Sequence, residues 1–152
     1  MIADAAGPSS VAPGQPQLPV QKTVLIIEDD AAFRDLLALH LSRAGYRVLV
    51  AEDAAVGGPM LLSARPDLLL LDILLPYLGG LELLEAMRHD PEVGQTPVVC
   101  VTSMRDDATY IRAMELGAEA VLTKPVRVEE LLATTARVMK AARTVGGQDG
   151  LK

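Results

Sequence analysis

The sequence has one cysteine, one phenylalanine, no tryptophan and two histidines in 152 residues. A lone Cys100 can form no internal disulfide and cannot build a cysteine-rich zinc site. It lies in the apolar run Val98-Val99-Cys100-Val101, which makes it a small core residue. Aromatic residues make up 3% of the chain, too few for a surface on which nucleic-acid bases stack. Positive charge is not in excess either. Fourteen Lys and Arg stand against 20 Asp and Glu, a net −6, which argues against direct nucleic-acid binding by this domain. No apolar run approaches the ~20 residues that a bilayer span needs. The N-terminus lacks a basic region followed by an apolar block, so no secretory signal is expected and a cytoplasmic protein is. His40 and His89 have no second His, Cys or Asp at ligand spacing. They read as a core-edge histidine and a helix-end histidine.

What is present is apolar content, 50% of the chain, enough for one domain with a proper core. Residues 1 to about 21 are rich in Pro, Gly, Ser, Ala and Gln, and read as a disordered leader. The run Leu68-Leu69-Leu70-Leu71-Asp72 carries no polar alternation, so it reads as a strand buried on both faces. Val24-Leu25-Ile26-Ile27 is a first strand of the same kind and ends on Glu28-Asp29-Asp30. A helix follows, with Phe33, Leu36, Leu37 and Leu41 as its packed stripe, Asp30 as its cap and Gly45 closing it. Arg47 to Ala51 is the second strand. The helix over Asp53–Ala64 contains Gly57-Gly58-Pro59 and is expected to be short, late or distorted, packing through Met60, Leu61 and Leu62. A third helix spans about Leu81 to His89. Thr96–Thr102 is a fourth strand and Glu119–Thr123 a fifth, with a helix from about Asp106 to Gly117 between them. A last helix begins near Arg127 with a stripe of Val128, Leu131, Leu132, Thr135, Val138 and Met139. Gly146-Gly147 and the polar residues after it mark a flexible tail, placed over residues 144–152.

Five βα units in alternation predict an α/β fold, a doubly wound parallel sheet with right-handed crossovers and helices on both faces. In such sheets the ligand crevice lies at the carboxyl ends of the strands. Glu28 and Asp29, Asp72, Thr102 and Lys124 all stand at those ends. An aspartate after a strand is often a turn former and no more, but three carboxylates in one place repel one another. A hard divalent cation resolves that repulsion, and Mg²⁺ favours oxygen ligands with one or two carboxylates. Lys124 and the Thr102 hydroxyl suit phosphoryl oxygens, and Asp72 suits a nucleophile that forms an acyl phosphate.

Five pieces, in order, resemble the receiver domain of two-component response regulators of the chemotaxis-regulator kind. They are Val24-Leu25-Ile26-Ile27-Glu28-Asp29-Asp30, Leu71-Asp72-Ile73-Leu74-Leu75-Pro76, Val101-Thr102-Ser103, Glu115-Leu116-Gly117-Ala118 and Thr123-Lys124-Pro125. The resemblance covers residues 22–143 and implies a flavodoxin-like receiver fold with strand order 2-1-3-4-5. It implies that Asp72 accepts a phosphoryl group from a histidine kinase or a histidine phosphotransfer protein. It implies Mg²⁺ held by Asp29, Asp72 and the backbone carbonyl of Leu74, with Glu28 acting through water. Thr102 would sense the phosphoryl group, Lys124 would pair with it, and the Lys124–Pro125 peptide would be cis. The chain would be a switch rather than a turnover enzyme, catalysing only its own phosphoryl transfer and slow autodephosphorylation. Its output surface would be the fourth helix, fifth strand and fifth helix, with Tyr110, Val121 and Arg127 on or near it. That surface would meet a downstream protein, or a second copy in a homodimer.

The chain also departs from the family pattern in places. Gly79-Gly80 stands where Asp-Gly is frequent, and Val126 where Phe is common after Lys-Pro. Val121 replaces the aromatic residue that swings inward on activation, so a shift of the loop after Thr102 is expected in place of a ring flip. Leu74 and Met104 flank the expected water approach with apolar side chains, which implies a long-lived phosphorylated form. A haloacid-dehalogenase-like phosphatase would need a second Asp where Leu74 stands. A nucleotide-binding fold would need glycines where Glu28-Asp29-Asp30 stands. The alternative is a phosphorylation-independent, receiver-like protein-interaction module.

Overall fold

The computed structural model describes residues 20–150, with side chains to residue 142. The expected leader therefore lies, but for its last two residues, outside the described residues. The elements are β1 (Thr23–Ile27), α1 (Ala31–Arg43), β2 (Arg47–Ala51), α2 (Ala54–Ala64), β3 (Leu68–Asp72), α3 (Gly80–Arg88), β4 (Val98–Thr102), α4 (Asp107–Glu115), β5 (Ala120–Thr123) and α5 (Val128–Gly150). The strands form one sheet in the order β2-β1-β3-β4-β5, and every pairing is parallel. This is the doubly wound, flavodoxin-like fold that the alternation of elements predicts.

Alternate residues of each strand feed two cores. Leu25, Ile27, Leu69, Leu71 and Cys100 pack with Leu61, Leu83, Leu84, Met87 and Ala113 from α2, α3 and α4. Val24, Ile26, Leu68, Leu70, Val99 and Val101 pack with Leu37, Leu41, Leu131 and Val138 from α1 and α5. β3 is buried along its whole length, as a strand covered on both faces must be. Full burial of a leucine stabilises by about 1.5–3 kcal/mol, and truncating one such as Leu70 to Ala would cost about 2–5 kcal/mol. Burial also sets the chemistry of Cys100, whose thiol is pushed up to about 12 by its apolar surroundings, so it is inert at neutral pH.

Asp30 caps α1 by accepting a hydrogen bond from the Phe33 N–H at 3.1 Å, and Gly45 follows the helix with φ +103. The packed stripe is Phe33, Leu37 and Leu41, whereas Leu36 is exposed because it lies a quarter-turn outside it. The stripe expected on α5 is in place, with Leu131, Thr135 and Val138 buried. α5 carries on past Gly146-Gly147 to Gly150, beyond the point where composition placed a tail. Glycine in a helix costs only about 1 kcal/mol and does not by itself end one.

Of the expected shortening, late start or distortion, the first two do not occur: α2 runs 11 residues from Ala54, with Pro59 inside it. Gly57 explains this. A Cβ there would collide with the Ile27 side chain and crowd Ala51, so the glycine lets the helix seat on the sheet. That seat compensates for the hydrogen bond Pro59 removes. Leu61 is buried and Met60 packs partly, but Leu62 faces solvent.

One cation ties the far end of α3 to α4. Arg88 donates from Nη1 to the Gly94 and Thr96 carbonyls at 2.9 and 2.8 Å, from Nε to the Leu116 carbonyl at 3.1 Å, and from Nη2 to the Gly117 carbonyl at 2.9 Å. Burial holds its pKa below the ordinary value, an effect offset in part by Glu119. Gly117, at φ +89, takes a left-handed turn that other residues resist, and its Cα faces this guanidinium. α4 itself has one buried residue, Ala113, while Tyr110, Ile111 and Met114 are exposed.

Candidate functional site

The carboxyl ends of β1, β3, β4 and β5 converge, and they bring together Glu28, Asp29, Asp72, Thr102 and Lys124. Parallel pairing sets this up. Ile27 is level with Leu71, Asp72 with Val101, and Thr102 with Thr123. Each chemistry-bearing side chain thus leaves its strand at nearly the same height. Glu28 and Asp72 are buried and Asp29 is exposed.

Glu28 is held tightly. Its Oε2 accepts from the Asp30 N–H at 3.0 Å, and its backbone carbonyl accepts from Arg34 Nη1 at 2.8 Å. Its Oε1 is buried without a hydrogen bond of proper geometry, although Lys124 Nζ lies 3.1 Å away. Burial pushes the Glu28 carboxyl up to about 7; the Asp30 N–H pulls it back, and nearby Asp72 raises it further. Asp72 accepts from the Leu74 N–H on Oδ1 at 3.0 Å and from Lys124 Nζ on Oδ2 at 3.2 Å. Lys124 is held above its ordinary pKa: burial lowers it, but Glu28 and Asp72 together outweigh that.

The donor set fits a hard divalent cation. Carboxylate oxygens of Glu28, Asp29 and Asp72 lie within 4.8 Å of one another, and a buried, poorly satisfied oxygen on Glu28 is what a cation would satisfy. The Leu74 backbone is tethered to Asp72 through its N–H.

Thr102 is buried, and its hydroxyl accepts from the Met104 N–H at 3.0 Å, leaving its own proton to donate. Its carbonyl accepts from the Lys124 N–H at 2.8 Å, which couples the ends of β4 and β5. The Lys124–Pro125 peptide is cis, as expected. Gly80 is required where the loop returns from β3, because a Cβ there would strike the Asp72 carbonyl and crowd Ile73. Leu74 and Met104 are half-exposed and line one cleft of about 370 Å³ together with Thr109. Val121 and Tyr110 line a second, of about 280 Å³, that reaches Thr102.

One neighbour of the site was not read from the sequence. The Phe33 ring centroid lies 4.7 Å from Lys124 Nζ, a cation–π contact. The signal available was an aromatic residue in the first turn of the helix that follows three acids. By its spacing alone Phe33 is a packing residue of the first helix.

The response regulator receiver domain family matches residues 24–136. The chain is 34% identical over 121 residues to the phosphate regulon transcriptional regulatory protein PhoB of Pseudomonas aeruginosa, covering 80% of this chain and 53% of that protein. It is 35% identical over 117 residues to the DNA-binding dual master transcriptional regulator RpaA of Synechocystis, covering 77% of this chain and 48% of that one. The chain thus spans about half the length of these curated relatives. Among solved structures it resembles a CheY-like response regulator receiver domain protein from Methanospirillum hungatei (TM-score 0.77, 28% identity, covering 82% of this chain and 98% of that one). It also resembles the chemotaxis protein CheY4 of Vibrio cholerae (TM-score 0.74, 28% identity, 78% and 99%). With the family matched across most of the chain and the strand order and strand-end acids in place, the chain belongs to the response regulator receiver family of two-component signalling.

Proposed function

We propose that this chain is a phosphorylation-dependent switch in which Asp72 takes a phosphoryl group from the phosphohistidine of a histidine kinase or a histidine phosphotransfer protein. The observation that supports this most directly is Lys124 Nζ standing 3.2 Å from Asp72 Oδ2 and 3.1 Å from Glu28 Oε1. A carboxylate oxygen of Asp72 attacks phosphorus, the P–N bond breaks, and the imidazole leaves. Glu28, Asp29, Asp72 and the Leu74 carbonyl would hold Mg²⁺, which when bound neutralises charge on the transferring group. Lys124 then pairs with a phosphoryl oxygen in place of Asp72, and the Thr102 hydroxyl donates to another. Because Thr102 accepts from the Met104 N–H, recruiting its hydroxyl draws on the loop that leads into α4.

The readout is then the α4–β5–α5 face, where Tyr110 and Arg127 are exposed and Val121 is half-buried. It would meet a downstream protein, or a second copy as a homodimer. The chain would act in the cytoplasm, and no helix among the described residues is long and apolar enough to cross a membrane. It would turn over no substrate beyond its own phosphoryl transfer and slow autodephosphorylation. With Mg²⁺ and a small acyl-phosphate donor, the protein gains one acid-stable, base-labile phosphoryl group, and Asp72→Asn gains none. Labelling that survives Asp72→Asn refutes the assignment. A parent that takes none favours a phosphorylation-independent interaction module.

A further inference from the structure

Among the described residues, three groups stand against Lys124 Nζ: Glu28 Oε1 at 3.1 Å, Asp72 Oδ2 at 3.2 Å, and the face of Phe33 at 4.7 Å. Both carboxylates also belong to the acid cluster that can hold a cation. A dication drawn to that cluster competes for the oxygens that now fix the ammonium. The ring is different, because it offers a hard cation no lone pair and so keeps its hold on the lysine. It is also well anchored. Phe33 is in the first turn of α1, its N–H bonded to the Asp30 cap at 3.1 Å and its side chain packed on the α1–α5 core.

Resting on the phosphoryl-transfer reading above, we infer that Phe33 is a positioning residue for Lys124, keeping the ammonium over the pocket while the carboxylates are engaged elsewhere. A lysine on a four-carbon stem otherwise loses its orientation once its two carboxylates are taken. Holding it in place spares the ordering cost at the moment a phosphoryl oxygen arrives.

The composition supplies a clean test, since Phe33 is the one phenylalanine in the chain. Growth on fluorinated phenylalanines therefore alters this ring alone. Fluorination weakens the negative face of the ring while keeping its shape and raising its hydrophobicity. Beryllofluoride affinity with Mg²⁺ is expected to fall stepwise from phenylalanine to 4-fluoro- to 3,4,5-trifluorophenylalanine, by about threefold in all. Phe33→Tyr, which keeps the ring face, binds like the parent, and Phe33→Leu, which keeps only apolar bulk, binds like the trifluoro protein. Independently of any loaded state, the single ¹⁹F resonance of the Mg²⁺-free 4-fluoro protein shifts on Lys124→Met. A parent that binds beryllofluoride while the fluorinated series stays flat overturns this inference alone, as does an unmoved ¹⁹F resonance. If the substituted forms do not fold, the fluorinated series still decides it. A parent that binds no beryllofluoride overturns the phosphoryl-transfer reading and this inference with it.

Discussion

Arg88 and Lys124 are both cations set into the protein, one where α3 meets α4 and the other at the carboxyl edge of the sheet, but their partners differ in kind. Arg88 donates to four backbone carbonyls, groups that neither titrate nor leave. Lys124 contacts two carboxylates and a ring, and both carboxylates can be claimed by something else. A guanidinium is a rigid fork suited to fixed acceptors, whereas an ammonium is a mobile point charge that readily changes partner. On the proposed function, the same charge would thus serve as a fastener in one place and a movable contact in the other.

Removing each cation separates the two roles. Arg88→Met strands four carbonyls and is expected to lower the free energy of unfolding by about 3 kcal/mol in urea titrations. Its beryllofluoride affinity should stay within about twofold of the parent. Affinity that collapses together with stability would break the contrast. Lys124→Met should weaken beryllofluoride binding about tenfold through one lost charge-assisted hydrogen bond. It leaves Glu28 and Asp72 facing each other, so the Mg²⁺-free variant is less stable than the parent, and Mg²⁺ restores it. Mg²⁺ restores nothing in Arg88→Met. The smallest effect concerns the rim of the pocket rather than its cation. Leu74→Asn combined with Met104→Glu puts polar groups on the cleft those two side chains share, and labelled phosphate should then be lost several-fold faster after donor removal. Decay no faster than the parent would mean that the flanking side chains do not shield the site.

The sheet and the site acids were legible because each rests on a local signal. A run as short as Leu68–Leu71, set in an alternation of strands and helices, reads as a buried strand, and the residue that ends such a run lies at the ligand edge of the sheet. Asp30 and Gly45 were legible because capping is local chemistry. What escaped depends on contacts distant in sequence. Gly57 looks like a helix breaker until Ile27 is seen beneath it. Leu36 looks like a core residue until the stripe is fixed by α5 on the other side. The four carbonyls around Arg88 come from two separate loops, and the Phe33–Lys124 pair spans most of the domain, so neither leaves a pattern in the sequence.

The Arg88 clasp also has a mechanical consequence. α4 is nine residues long, about 13 Å of rod, and only Ala113 presses it into the core. Its rear is pinned where Leu116 and Gly117 meet the guanidinium. Its front is joined to Thr102 through the short loop that holds Met104. A rod fixed at the rear and pulled at the front pivots, and displacement grows with distance from the fulcrum. Asp107 and Tyr110 would travel farthest, Met114 hardly at all. A partner gripping the front of this helix would feel the full stroke, and one gripping the rear would feel almost none.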